Sequence, residues 1–136
     1  MYTKIFPFQI GEQYEELEFK LNGFDIKLIG DYEYDIYEYI GQEVNSFLGF
    51  QFSLNPLLYY NVDILSRIDF MFSYNCFDDL FNELNYYLPE KEKLQIDPFD
   101  RFKTAFSKVG DLAFEILRNN SENIILRISH YHQFFD

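Results

Sequence analysis

The N-terminal part of the chain alternates between apolar and polar residues. Residues 14–21 show this alternation, and residues 24–28 repeat it after the pair Asn22-Gly23. Asn-Gly between two alternating runs is the strongest short-range signal for a β-hairpin, because both turn residues readily adopt positive φ. The pattern therefore predicts an N-terminal hairpin with its turn at Asn22-Gly23.

Residues 31–40 hold four tyrosines and four carboxylates without a basic residue, and their periodicity has two interpretations. A strand would place Tyr32 and Tyr34 on one face and Tyr37 and Tyr39 on the other. A helix would begin an apolar stripe that continues beyond the block and ends before a glycine. This stripe comprises Ile36, Ile40, Val44 and Phe47. Because the stripe continues, we predict a helix over residues 33–48, although Gly41 weakens it.

Three further segments alternate and predict strands. These are residues 50–54, 68–74 and 123–130, the last with Ile125, Arg127 and Ser129 on one face. Residues 57–66 fit either a short buried strand or a turn of helix.

Two more segments have helical spacing. The first covers residues 75–88 and ends at Pro89, which cannot continue a helix. The second begins at Asp97-Pro98, a typical cap and first helical position, and its apolar period extends to Asn119-Asn120 with a break or kink at Gly110-Asp111. Together the elements predict a single α+β domain over residues 1–136, in which an antiparallel sheet with an N-terminal hairpin packs against about three helices.

Composition and charge limit which classes of partner the protein can bind. The chain has 136 residues and a net charge of −12, and residues 1–43 carry 10 of its 23 acids but 3 of its 11 bases. A field of this sign repels nucleic-acid phosphates and anionic membranes, so we expect neither as a direct partner. A basic protein is the natural partner. Acidity that confers solubility alone is the alternative.

The tyrosine-rich acidic block is the candidate partner-binding surface. Tyrosine is enriched at protein interfaces, and carboxylates attract a cationic partner. The candidate residues are Asp31, Tyr32, Glu33, Tyr34, Asp35, Tyr37, Glu38 and Tyr39. If residues 33–48 are a helix, part of the block must face the core.

The residues that could carry chemistry do not form a recognisable catalytic set. His130 and His132 project from one face and could chelate a metal only with a further ligand such as Asp136. Cys76, the only cysteine, lacks an adjacent base, and Asp78-Asp79 fit the acidic first turn of a helix. We therefore predict no catalytic residue, metal or cofactor, and a binding protein rather than an enzyme. With no signal peptide and no long apolar run, the predicted location is cytoplasmic.

A small, acidic, tyrosine-rich domain without catalytic motifs resembles the immunity proteins of bacterial toxin–immunity systems. The resemblance implies that the protein binds a cognate toxin, often a basic nuclease, and blocks its active site. One alternative is a phage-encoded inhibitor of a host defence nuclease that mimics nucleic acid. A second is a small-molecule-binding domain or enzyme with an aromatic pocket. A solvated acidic helix, with the interface elsewhere, also fits. The sequence predicts no oligomeric state.

Overall fold

The structure, a computed structural model, describes residues 6–99, 104–118 and 123–134. These residues form ten β-strands and two α-helices. The strands are β1 (Leu21–Ile29), β2 (Tyr32–Tyr39), β3 (Ser46–Phe47), β4 (Phe50–Gln51), β5 (Leu54–Asn61), β6 (Ile64–Ser73), β7 (Gln95–Ile96), β8 (Ala105–Val109), β9 (Leu112–Arg118) and β10 (Asn123–His130). The helices are α1 (Phe77–Tyr87) and α2 (Tyr131–Phe134).

Eight of the strands form one antiparallel sheet in the order β1-β2-β5-β6-β10-β9-β8-β7, and β3 pairs with β4 in a small separate hairpin. The predicted α+β fold with about three helices is therefore wrong. Among the described residues α1 is the one helix of several turns, and α2 has a single turn of 4 residues.

The predicted N-terminal hairpin is wrong in its first strand and in its turn. Tyr14–Glu16 and Glu18–Lys20 form 3₁₀ turns, and residues 24–28 belong to β1, which forms a hairpin with β2 instead. Asn22-Gly23 lies inside β1, where the pairing with β2 shifts register between Gly23 and Asp25. Glycine in a strand often marks such a bulge. The chain reverses at Gly30-Asp31 instead, and Gly30 has a φ of 61°. A two-residue turn whose first residue has positive φ matches the twist of a hairpin.

The predicted helix over residues 33–48 is also wrong, because β2 occupies most of the tyrosine-rich block. The period-two interpretation describes the segment correctly. Tyr34 and Ile36 lie on one face of the sheet, and Tyr37 and Tyr39 pack on the other. Tyrosine and isoleucine side chains suit a pleated surface.

The helix predicted from Asp97 is replaced by the β8–β9 hairpin, which turns at Gly110, with a φ of 60°. Asp97 accepts a hydrogen bond at Oδ1 from the Phe99 amide (2.9 Å), which forms a local turn rather than the cap of a helix. The predicted end of that helix, Asn119-Asn120, lies outside the described residues.

Other predictions are confirmed. The helix predicted over residues 75–88 is α1, preceded by the 3₁₀ turn Tyr74–Cys76. The strands predicted at residues 68–74 and 123–130 correspond to β6 and β10. The strand predicted at residues 50–54 is instead divided between β4 and the first residue of β5.

The core lies on one side of the large sheet, which we call the helix face. There α1, the N-terminal segment from Phe6 and the β3–β4 hairpin cover the sheet, and Leu80 and Leu84 are fully buried against it. The opposite side, which we call the second face, carries a smaller cluster of Tyr34, Ile36 and Tyr59.

Candidate functional site

Strand β2 divides the predicted binding residues between the two faces of the sheet. On the helix face, Tyr37 packs its ring 5.0 Å from that of Tyr14 and 5.7 Å from that of Tyr60. Tyr39 is buried against Phe8, and its hydroxyl donates a hydrogen bond to Glu43 (3.1 Å). These tyrosines chiefly build the core.

On the second face, Tyr34 is buried with its ring 5.8 Å from that of Tyr59. Tyr32 is half-buried and its ring lies 6.1 Å from that of His132. Burial thus leaves Tyr34, like Tyr39, little surface for a partner, whereas Tyr32 keeps part of its ring accessible. Glu38 points to the same face, where it accepts a hydrogen bond from Asn55 Nδ2 (3.0 Å).

Two of the carboxylates lie beside exposed apolar side chains on the helix face. In the β1–β2 register, Glu33 pairs with Leu28 and Asp35 pairs with Ile26. Leu28 is 73% exposed and Ile26 is 66% exposed. We call these four residues the edge patch, because β1 is the outermost strand of the sheet. Asp31 lies at the adjoining turn.

The edge patch has a negative charge, and no base of β1 or β2 projects from its face of the sheet. Lys27 is the single base in β1 and β2, and it pairs with Tyr34. Directly paired residues share a face, so Lys27 projects from the second face. The patch therefore combines an apolar centre with an acidic rim.

A second charged group lies across the middle of the second face, and we call it the arginine cluster. It consists of Asp69 in β6, Arg67 in β6, Arg127 in β10 and Glu115 in β9. Arg127 Nε lies 2.9 Å from Asp69 Oδ1 and Arg67 Nη2 lies 3.1 Å from Asp69 Oδ2. The guanidinium of Arg67 also stacks 4.1 Å from the ring centre of Tyr59.

The arginine cluster satisfies the buried Asp69 completely. Burial alone would raise the pKa of Asp69, but the charges of Arg127 and Arg67 outweigh it and lower that pKa below its ordinary value. Burial, followed by the charge of Asp69, raises the pKa of Tyr59 to about 12. Glu115, 3.8 Å from Arg127, has a pKa raised chiefly by burial. Since both Asp69 oxygens accept two or more hydrogen bonds, this cluster has the character of a structural ion network.

Two buried polar atoms near the N-terminal segment have no hydrogen-bond partner among the described residues. These are Glu12 Oε1 and the hydroxyl of Tyr60. Burial is the main cause that raises the pKa of each. The Tyr14 and Tyr60 rings lie 5.6 Å apart, which is ordinary aromatic packing.

The residues considered as metal ligands or nucleophiles in the sequence do not assemble into a larger site. The rings of His130 and His132 lie 5.4 Å apart, and the described residues contain no group of three His, Cys, Asp or Glu side chains placed to hold a metal. Asp136 lies outside the described residues. Cys76 lies three residues after Ser73, which pairs with Asn123 at the start of β10. His130 is at the other end of β10, so the strand separates Cys76 from the histidine pair.

Among the described residues, no helix is both long and apolar enough to cross a membrane. No known protein family, curated protein or solved structure matches the chain. The edge patch and the arginine cluster are therefore interpreted from their own chemistry.

Proposed function

We propose that the protein binds a basic protein partner through the edge patch and thereby neutralises it. The observation that carries the proposal is the direct pairing of exposed Ile26 with Asp35 and of exposed Leu28 with Glu33. Interfaces commonly combine an apolar centre with a polar rim, and an acidic rim selects a surface rich in Lys or Arg. Asp31 and the accessible part of Tyr32 would contribute at the border of the contact.

The charge of the whole chain supports the same partner. A net charge of −12 attracts a basic protein over long distances and accelerates its encounter, while the edge patch provides close contacts. An immunity protein that acts in the cytoplasm and blocks a cognate toxin fits this combination. If the toxin is a nuclease, its phosphate-binding Lys and Arg residues would face Glu33 and Asp35.

The alternative of a nucleic-acid mimic requires carboxylates repeated along an extended face. On the helix face of β1 and β2 the carboxylates of Glu33 and Asp35 are instead interleaved with apolar neighbours, which favours contact with a protein surface. An aromatic ligand pocket would require tyrosines that surround open space. The close packing of Tyr14, Tyr37 and Tyr60 favours a core role for these rings.

The proposal can be tested by capture of the partner on immobilised protein. Wild type is compared with Glu33→Lys/Asp35→Lys and with Glu83→Lys/Glu90→Lys, a control that changes the net charge equally at exposed positions outside β1 and β2. Lysate of the source organism is applied at about 0.05 M and about 0.5 M NaCl, where screening differs strongly. A captured basic protein is then purified, and its activity is assayed with and without each variant.

We expect wild type and the Glu83/Glu90 control to capture and inhibit the same basic protein, more weakly at high salt. The Glu33/Asp35 variant should lose at least about 10-fold in affinity, which corresponds to about 1.4 kcal/mol. Equal loss in both variants would mean that only bulk charge matters, and no loss in either would remove the edge patch from the contact. Circular dichroism establishes that each variant is folded.

A further inference from the structure

The two edges of the large sheet differ in what they offer to another strand. The edge at β7 is 2 residues long, whereas the edge at β1 extends over 9 residues. Natural proteins usually shorten, cover or charge such an edge, because its unpaired backbone groups can pair with another chain. Of the residues in β1, seven in succession are exposed, from Asn22 to Leu28.

The backbone of β1 presents hydrogen-bonding groups away from β2. The amide of Ile26 points away from β2 and donates to Asp25 Oδ1 (2.8 Å) in its own strand, a bond that a strand paired at this edge would replace. Antiparallel pairing alternates between residues that bond inward and residues whose groups point outward. Because a two-residue turn follows Ile29, the backbone groups of Ile29, Lys27 and Asp25 bond to β2. The backbone groups of Ile26 and Leu28 therefore point away from β2.

The side chains around Ile26 are complementary to a copy of themselves. If two β1 strands pair antiparallel about Ile26, each Asp25 lies opposite Lys27 of the other copy, and Leu28 lies opposite position 24, which is Phe24. Cross-strand pairs of opposite charge and apolar pairs both stabilise a sheet. A shift by two residues that places Lys27 opposite Lys27 would bring like charges together.

We propose that two copies of the chain associate through β1, antiparallel and centred on Ile26, into a continuous sheet with twice the eight strands of one chain. A two-fold axis perpendicular to the sheet relates the copies, so the contact is closed and isologous. The inference does not rest on the proposed function, and it leaves the helix face open. It brings the edge patches of both copies side by side, with their apolar residues at the centre and Glu33 and Asp35 outside.

The net charge of each copy opposes this association. Added salt distinguishes that long-range repulsion from the close contact of Asp25 with Lys27. Each copy carries −12, so the copies repel one another over long range. The Debye length falls from about 30 Å at 0.01 M to about 3 Å at 1 M ionic strength, which removes that repulsion while Asp25 and Lys27 stay in close contact. Dimerisation should therefore strengthen as salt is added, whereas capture of a basic partner should weaken.

Analytical ultracentrifugation of the full chain, from about 1 μM to about 500 μM and at about 0.15 M and 0.5 M NaCl, tests the proposal. Wild type should show a reversible monomer–dimer equilibrium. Lys27→Asp and Asp25→Lys should each weaken it at least about 10-fold, by placing like charges opposite one another. The double variant Asp25→Lys/Lys27→Asp exchanges the partners and should restore it. Lys91→Asp, at an exposed position outside β1, changes the net charge as Lys27→Asp does and should leave the equilibrium nearly unchanged.

A wild-type chain that stays monomeric throughout this range overturns the proposal. This outcome overturns it even if β1 then binds a segment of another protein. A dimer that Lys27→Asp does not weaken must use another surface and also overturns it. Failure of the double variant to recover excludes the register about Ile26. Because partner capture is measured separately, loss of the dimer does not affect the test of the proposed function.

Discussion

The arginine cluster and the edge patch are both charged, but they lie in opposite environments. Asp69 has a side chain only 3% exposed and is bonded by two arginines, so its charge is compensated within the fold. In the edge patch, Glu33 and Asp35 lie beside exposed apolar residues and no base on their own strands compensates them. The difference suggests that the first set of charges maintains the fold and that the second is available to a partner.

The largest effect is expected from breaking the arginine cluster. Asp69→Asn leaves the largely buried Arg67 without its carboxylate and leaves Arg127 with Glu115 alone, 3.8 Å away. Removing one partner of a buried ion pair costs about 3–5 kcal/mol. Urea unfolding should show this loss as a lower midpoint with an unchanged slope.

The matched control replaces the cluster as a whole, with Arg67→Met, Asp69→Leu, Arg127→Met and Glu115→Gln in one chain. Replacement of a buried ion network by apolar residues of similar volume is often neutral or stabilising, so its stability should be within about 2 kcal/mol of wild type. If replacement costs as much as Asp69→Asn, packing rather than charge explains the role of Asp69.

Low pH should lower the stability of the protein, because it protonates the carboxylate of Asp69. The folded-state pKa of Asp69 lies below its ordinary value of 3.8, so its contribution to stability is present above that value and is lost as pH falls through the folded-state pKa. Glu115 acts in the opposite sense above its ordinary pKa of 4.5, because its folded-state pKa is raised. Below about pH 4, urea midpoints of wild type should therefore fall more steeply than those of the fully replaced variant. Parallel curves would show that other groups dominate acid unfolding.

The sequence predicted those elements whose signals were local. The apolar stripe and Pro89 predict α1, and the alternation of residues 123–130 predicts β10. The turns at Gly30-Asp31 and Gly110-Asp111 carried an equally local signal, since Gly-Asp between alternating runs favours a turn with positive φ at its first residue. The Asn22-Gly23 pair carries the more familiar turn signal, but it lies inside β1, where its glycine adjoins a bulge instead of forming the turn.

The candidate site was predicted only in part, for a physical reason. The acids of residues 31–40 are visible in the sequence, but the exposure of Ile26 and Leu28 is not, because their alternation is that of any strand that covers a core. Their exposure depends on where β1 lies in the sheet and on where α1 stops covering it. Likewise, Arg67 and Asp69 are two residues apart on one strand, whereas Arg127 reaches them only through the pairing of β6 with β10.

The smallest effect is expected from neutralising the edge patch. Glu33→Gln/Asp35→Gln removes an exposed charge and a half-buried charge from an acidic segment. Substitutions of this kind away from the core change stability by about 0.5 kcal/mol or less. The direction should be stabilising at low salt, because like charges along β2 no longer repel, and the gain should vanish near 0.5 M NaCl, where the Debye length is about 4 Å. Urea midpoints at two salt concentrations measure this. A loss of stability comparable to that of Asp69→Asn would contradict the distinction between the two charged regions, since it would mean that the edge carboxylates also maintain the fold.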